Sequence, residues 1–439
     1  MTKITRACIA VVGAMLLSSQ VSAENWPQWR GPNFDGSTTE THLPNTLDPK
    51  ANLAWSTELP GPGCATPVIF GDRIFFSAVD KNTKKLLALC AGKTDGKILW
   101  TKEIGQGSIH NERNDLASPS PICDAKMAWF YYGSGDLVAF DHDGKQLWAR
   151  NLQKDYGNFN YQWLYGASPL LHGGKLYVPV LHRDRPVGRG NAAASSNPAE
   201  SYLLCLDPAT GKNLWRHIRP TDAISESQEA YTTPIPMDVN GKTQIILAGG
   251  DHVTGHDADT GRELWRSPTY NPTKIASWRT VTSACAGDGL VFASPPKGGP
   301  MFAVKPNGGD SNVPAELAWT NPAVTTDVCA PLFYQGQLFV LDGDHKKPLY
   351  CLDPKSGEKK WTAPLGGNSV FRASPTGADG KIYCMSEAGD LVIVSAADGK
   401  ILDRHSLGSE SPARSSIVAC DGQIFIRTAD HLYAFGKKG

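Results

Sequence analysis

The sequence predicts an all-β protein: an eight-bladed β-propeller of four-stranded antiparallel blades, closed by an N-terminal strand that completes the last blade. Three observations carry this reading. A phrase ending in tryptophan recurs along the chain at a near-constant interval. Glycine (44) and proline (31) punctuate the 439 residues so often that the elements must be short. The two ends of the chain carry complementary pieces of one repeat unit.

Aligned on the tryptophan, "KILW" ends at Trp100, "KQLW" at Trp148, "KNLW" at Trp215, "RELW" at Trp265, "ELAW" at Trp319 and "EKKW" at Trp361. Most intervals are 42 to 54 residues, and the 67 residues from Trp148 to Trp215 predict an insertion. A seventh copy, "KILD", puts Asp403 in the tryptophan position. Each unit opens on a small-residue stretch such as "ASPSP" (117–121) or "RASPT" (372–376), which leads into a β-rich run. A Gly turn and a second run follow, as in "GGKLYVPV" (173–180), then a third run, a second Gly turn and the Trp strand. Four short strands at this period describe a propeller blade. In "CLDPATGKNLW" (205–215) the glycine supplies the positive φ of a tight turn and the aspartate bonds the turn's own amides. The tryptophan packs between adjacent sheets. The phrase is therefore architectural.

The ends set the blade count. "SSIVACDGQIFIRTADHLYAFGKKG" (415–439) supplies three strands without a Trp strand, while "NLAWSTEL" (52–59) is a lone Trp strand carrying Trp55. Joining them completes an eighth blade and leaves no open ring edge. Residues 52–439 form the propeller, about 48 per blade, and 24–51 a lead segment.

The units "CLDPATGKNLW", "GHDADTGRELW" and "CLDPKSGEKKW" resemble the PQQ-like repeat, Ala-x-Asp-x-x-Thr-Gly-x-x-x-Trp. The resemblance covers nearly all of the chain after residue 23, and "WPQWRGPNFDG" (26–36) is similar to the lead of secreted bacterial members. It implies two branches: quinoprotein alcohol dehydrogenases, and the propeller lipoprotein of the outer-membrane β-barrel assembly machinery. The first would bring PQQ with calcium, a vicinal disulfide and an acidic metal constellation. No Cys-Cys pair occurs here, and that constellation cannot be placed residue by residue. The expectation is a non-catalytic binding or scaffold module with no cofactor and no metal, closer to the assembly branch. The alternative is a PQQ-dependent dehydrogenase of alcohols or sugars.

The 43 basic and 43 acidic residues balance and leave no nucleic-acid footprint. Lys3, Arg6, the apolar run 7–17 and the small residues 21–23 predict a cleaved signal peptide over 1–23. That run is too short to span a bilayer. The mature chain is expected in the periplasm or secreted, with an envelope protein or a small anionic ligand as partner. Cys90, Cys205 and Cys351 share one repeat position, and Cys123, Cys285 and Cys420 a second, just before the first turn. Such positions in different blades lie beyond disulfide reach, so the thiols are expected free and buried. "DHDG" (141–144) is a repeat turn, and His252 with His256 lie on a strand, where their spacing suits no zinc ion.

The loops leading into the innermost strands are long and aromatic: 105–116, 153–164 and 269–279. The insertion, placed at 182–200, joins the same face, where binding resides on such scaffolds. Aligning the inner-strand starts gives one position facing the tunnel mouth: Cys64, Ala117, Gly166, Tyr231, Arg279, Val328, Arg372 and Arg414. The three arginines form a cationic arc suited to carboxylate or phosphate, unless loop acids such as Glu410 or Asp327 pair with them. Tyr231, Trp278 and Trp163 would stack an aromatic anion there.

Overall fold

A computed structural model describes residues 24–107, 114–186, 199–309, 313–344 and 347–437. The predicted signal peptide lies outside them, as do the middles of the 105–116 loop and of the 182–200 insertion. Eight four-stranded antiparallel sheets form the blades of a propeller. In seven of them the strands are consecutive in sequence. The eighth joins Val418–Cys420, Gln423–Arg427 and His431–Phe435 to Leu53–Glu58, which pairs antiparallel with His431–Phe435. The ring closes as the sequence predicts.

The repeat phrase works between blades. The turn glycines Gly96, Gly144, Gly211, Gly261, Gly357 and Gly399 all have positive φ. A Cβ on each would strike the tryptophan of the preceding blade, at 2.4 to 2.9 Å. Glycine is therefore required twice over, for the turn and for the close approach. The indole N–H of Trp55, Trp100, Trp148 and Trp319 then donates to a backbone carbonyl of the following blade's turn, at 2.8 to 3.0 Å. Opposite each tryptophan on the neighbouring strand stands a small residue: Cys90, Ala139, Cys205, Gly255, Ala303 or Cys351. Cysteine is used here as a small apolar side chain, and nine free thiols are described. Trp265 departs from the pattern. It is fully buried, donates to Gln244 Oε1 at 2.6 Å, and leaves no room for a Cβ at Gly255.

One register needs correcting. Cys123 and Cys420 end their inner strands, but Cys285 opens the strand Cys285–Gly287. The turn after it falls two residues later, so the three cysteines share no position. "DHDG" is a turn, with Asp141 Oδ1 accepting the amides of Asp143 and Lys145. His256 is buried and bonded at both ring nitrogens, to Gly261 O and Thr254 Oγ1. Among the described residues no helix is long and apolar enough to cross a membrane.

The lead segment crosses one face of the ring. Trp26 bridges Ile69, Leu171 donates its amide to Gln28, and Gly377 bonds Gly36 and Thr38. Those contacts sit at the far ends of inner strands in blades one, three and seven, opposite the long loops. Arg30 is 3% exposed and donates to the carbonyls of Asp35, Pro331 and Pro375 at 2.7 to 2.9 Å. The lead is thus bolted across the tunnel.

Candidate functional site

Seven of the eight aligned inner-strand starts line a single cavity of about 190 Å³ at the tunnel mouth: Cys64, Gly166, Tyr231, Arg279, Val328, Arg372 and Arg414. Ala117 is replaced there by its neighbours Asn114 and Ser118. The convergence follows from topology, because equivalent positions of different blades meet at the axis. Trp163 also lines the cavity, brought in by the loop after the short helix Leu152–Tyr156. Trp278 does not line it; it is half-buried beside the rim, its amide donating to Ser227 Oγ at 3.3 Å.

Two features escape an alignment of inner-strand starts. The first is Trp29, which lines the cavity from the lead segment and closes it from the side opposite the long loops. The cavity is therefore a blind funnel. The second is a belt of hydroxyls just below the rim. The backbone amides of Thr66, Ser120, Ser168 and Thr233 donate to the hydroxyl oxygens of Ser120, Ser168, Thr233 and Ser283 at 2.9 to 3.0 Å. Ala330 donates likewise to Ser374, and Ser416 to Thr66, which links blade eight to blade one. Ala330, having no hydroxyl, interrupts the belt in blade six. The signal was present in "ASPSP" and "RASPT", as the Ser-Pro or Thr-Pro that opens five of the eight units.

The arginines are not free cations. Arg279 pairs with Glu226 at 2.6 Å and lies over the Trp163 ring, 5.4 Å from its centroid. Trp163 Nε1 donates to the same Glu226 oxygen at 3.0 Å. Glu387 Oε1 takes Arg414 at 2.6 Å and stands 3.7 Å from Arg372, which also meets Asp344 at 3.2 Å. Among the described residues their carboxylate partners are Glu226, Asp344 and Glu387, not Glu410 or Asp327. Asp327 instead lines the cavity and accepts the Lys297 amide at 2.8 Å. Sequence spacing could not find these acids, since Glu226, Asp344 and Glu387 reach Arg279, Arg372 and Arg414 from loops of the preceding blade. The indole stacking on Arg279 is likewise Trp163, from a different blade, and not the adjacent Trp278.

Behind Tyr231 sits a buried carboxylate. Tyr231 donates its hydroxyl to Glu229 Oε2 at 2.5 Å, the Gln162 amide donates to the same oxygen, and Arg183 pairs with Oε1. Burial pushes the Glu229 carboxyl above its ordinary value, against the pull of those donors. Burial and the Glu229 charge push the Tyr231 phenol up. Cys64 faces Asp115 at 3.4 Å, and burial with that charge raises its thiol to about 12. It is a poor nucleophile at neutral pH.

Comparison with known proteins follows from this geometry. The family profile described as outer membrane protein assembly factor BamB matches residues 46–179, 179–313 and 311–439. The polyvinylalcohol dehydrogenase of Sphingopyxis sp. (strain 113P3) is 24% identical over 403 residues, covering 82% of this chain and 54% of that protein. The chain spans about half the length of that relative. The lanthanide-dependent methanol dehydrogenase of Methylorubrum extorquens is 25% identical over 36% of this chain and 28% of its own. In fold, the chain superposes on a europium-containing methanol dehydrogenase with a TM-score of 0.68, at 12% identity, over 94% of this chain and 98% of that one. On BamB of Moraxella catarrhalis the TM-score is 0.59, at 13% identity, over 87% and 96%.

The cofactor of the dehydrogenase branch can be tested against the residues present. All three rim arginines already carry carboxylates, and only one thiol lines the cavity. Among the described residues no group of three or more His, Cys, Asp or Glu is arranged to hold a metal ion. Among the described residues, then, the donor set does not fit a calcium-bound tricarboxylate. The fold and its repeats do have one home: the chain belongs to the PQQ-like repeat propeller family described as outer membrane protein assembly factor BamB.

Proposed function

We propose that this propeller is a binding module, and that the blind funnel on its long-loop face receives a loop of an envelope protein or a small molecule. One observation supports it above the rest. Seven equivalent positions from separate blades converge on one cavity, which a segment outside the repeats floors with Trp29. A rigid ring with a shaped, mixed polar and aromatic recess is the usual form of a binding site. The module acts outside the cytoplasm, as the sequence of residues 1–23 implies.

The second reading is a PQQ-dependent dehydrogenase, favoured by the dehydrogenase relatives. One assay separates the two. Purified protein is supplied with PQQ and calcium, then with alcohols and sugars and an artificial electron acceptor. The expected result is no turnover above the cofactor-free protein. Clear PQQ-dependent turnover would overturn the binding-module reading.

A further inference from the structure

We infer that the funnel takes a small zwitterion, an α-amino acid, with its carboxylate on the hydroxyl belt and its ammonium group on Asp327. The inference rests on the binding-module reading and names the chemical class of its ligand. It begins from the groups that line the cavity. Arg279, Arg372 and Arg414 do, whereas their partners Glu226, Asp344 and Glu387 do not. Among the described residues the lining therefore presents three positive charges and one acid, Asp327. Such a mouth draws a carboxylate inward.

Below the rim the donors are hydroxyls. Ser120, Ser168, Thr233, Ser283 and Ser374 line the cavity, and each is more than nine-tenths buried. Every one of these oxygens already accepts a backbone amide of a neighbouring blade. No acceptor for their hydrogens is found among the described residues. A hydroxyl that has taken an amide on its oxygen still has its hydrogen to give, and a buried donor without an acceptor is costly. A carboxylate, with two oxygens that only accept, is the compact group that answers such an arc of donors.

Blade six breaks the ring in two ways at one place. Ala330 stands at the belt position that holds a serine or threonine in every other blade. Three residues before it, Asp327 supplies the acid of the lining. Asp327 Oδ1 accepts the Lys297 amide at 2.8 Å, and no bond to Oδ2 and no ion pair of this side chain is found among the described residues. The cavity thus has one acceptor sector, set between the donors Ser283 of blade five and Ser374 of blade seven. An α-amino acid carries its ammonium and carboxylate groups on one carbon, which matches a donor and an acceptor side by side. A plain carboxylic acid leaves Asp327 charged and unpaired, and a neutral polyol leaves the positive rim unused. The volume of about 190 Å³ equals that of roughly six liquid waters, room for one small molecule.

Calorimetry on the whole mature protein, with the common L-amino acids as probes, tests this. At least one should bind with Kd below about 1 mM. Its deaminated acid and its carboxamide should each bind about tenfold or more weakly, since each lacks one charged contact. Asp327→Asn keeps an acceptor for the Lys297 amide. It should weaken the amino acid about tenfold while leaving the deaminated acid within about threefold of its parent value. Ser374→Ala should weaken both ligands together, with circular dichroism unchanged in both variants. If Asp327→Asn fails to fold, the comparison of amino acid, deaminated acid and carboxamide on the parent protein decides. A deaminated acid that binds as tightly as the amino acid would overturn the zwitterion inference and leave the funnel a carboxylate site. Equal weakening of both ligands by Asp327→Asn overturns it too, as does binding of no amino acid at about 20 mM, far above any useful Kd. The module reading falls separately, only on PQQ-dependent turnover.

Discussion

Arg414 and Arg372 converge on one oxygen of Glu387, each less than one-fifth exposed. That arrangement changes what a substitution at the rim would do. Treated as a free cation, Arg414 could be removed at little cost to folding. Treated as one side of a half-buried pair, its removal leaves Glu387 poorly compensated. Arg414→Ala should therefore lower stability by about 1–2 kcal/mol, between the range for exposed pairs and that for buried ones. Adding Glu387→Gln to that variant should recover more than half of the loss. Urea unfolding of the two single variants and the double variant measures this as a coupling. Strictly additive losses would show that the pair contributes nothing. The arginines were legible in the sequence because they recur at one register. Their partners were not, because Glu226, Asp344 and Glu387 lie on loops whose paths no repeat dictates.

The loop 269–279 shows how an element holds a site residue in place. Asn271 is fully buried, with Nδ2 3.1 Å from both carboxylate oxygens of Asp251 and from Ile275 O. Its Oδ1 accepts the Ile275 amide at 2.8 Å. This knot ends four residues before Arg279 and fixes the direction in which that side chain leaves the loop. Burial pushes the Asp251 carboxyl up to about 6, from an ordinary value of 3.8. The folded state thus binds a proton more tightly than the unfolded state does. Its contribution is fully present below about pH 4 and is lost as pH rises through 6. Across that window the protein should lose up to about 3 kcal/mol relative to Asp251→Asn. Denaturation midpoints of both proteins from pH 4 to 7 check it, and parallel curves would refute it. The sequence marks this stretch as a long polar loop with aromatics. It carries no mark of the knot, since Asp251 belongs to the turn between two strands of blade four.

At the scale of the whole molecule, closure depends on one strand contributed from the other end of the chain. Deleting residues 52–59 removes the partner of His431–Phe435 and exposes the edge of that strand, besides emptying the place of Trp55 beside Gly96. Aggregation or a large fall in Tm is expected, read by light scattering and thermal melting. A deletion variant that melts with the parent would mean the ring is closed some other way. The sequence by itself determined the blade count, the closing strand, the role of the repeated tryptophans and which inner-strand starts meet at the axis. It could do so because a repeat makes contacts between neighbouring units follow a single rule, written once per blade. Only the tertiary structure decided that Trp29 floors the funnel, that Trp163 and not Trp278 covers Arg279, and that the rim arginines pair with Glu226, Asp344 and Glu387. Those contacts join the lead and the loops of separate blades, where no period operates and only the closed ring brings the partners together.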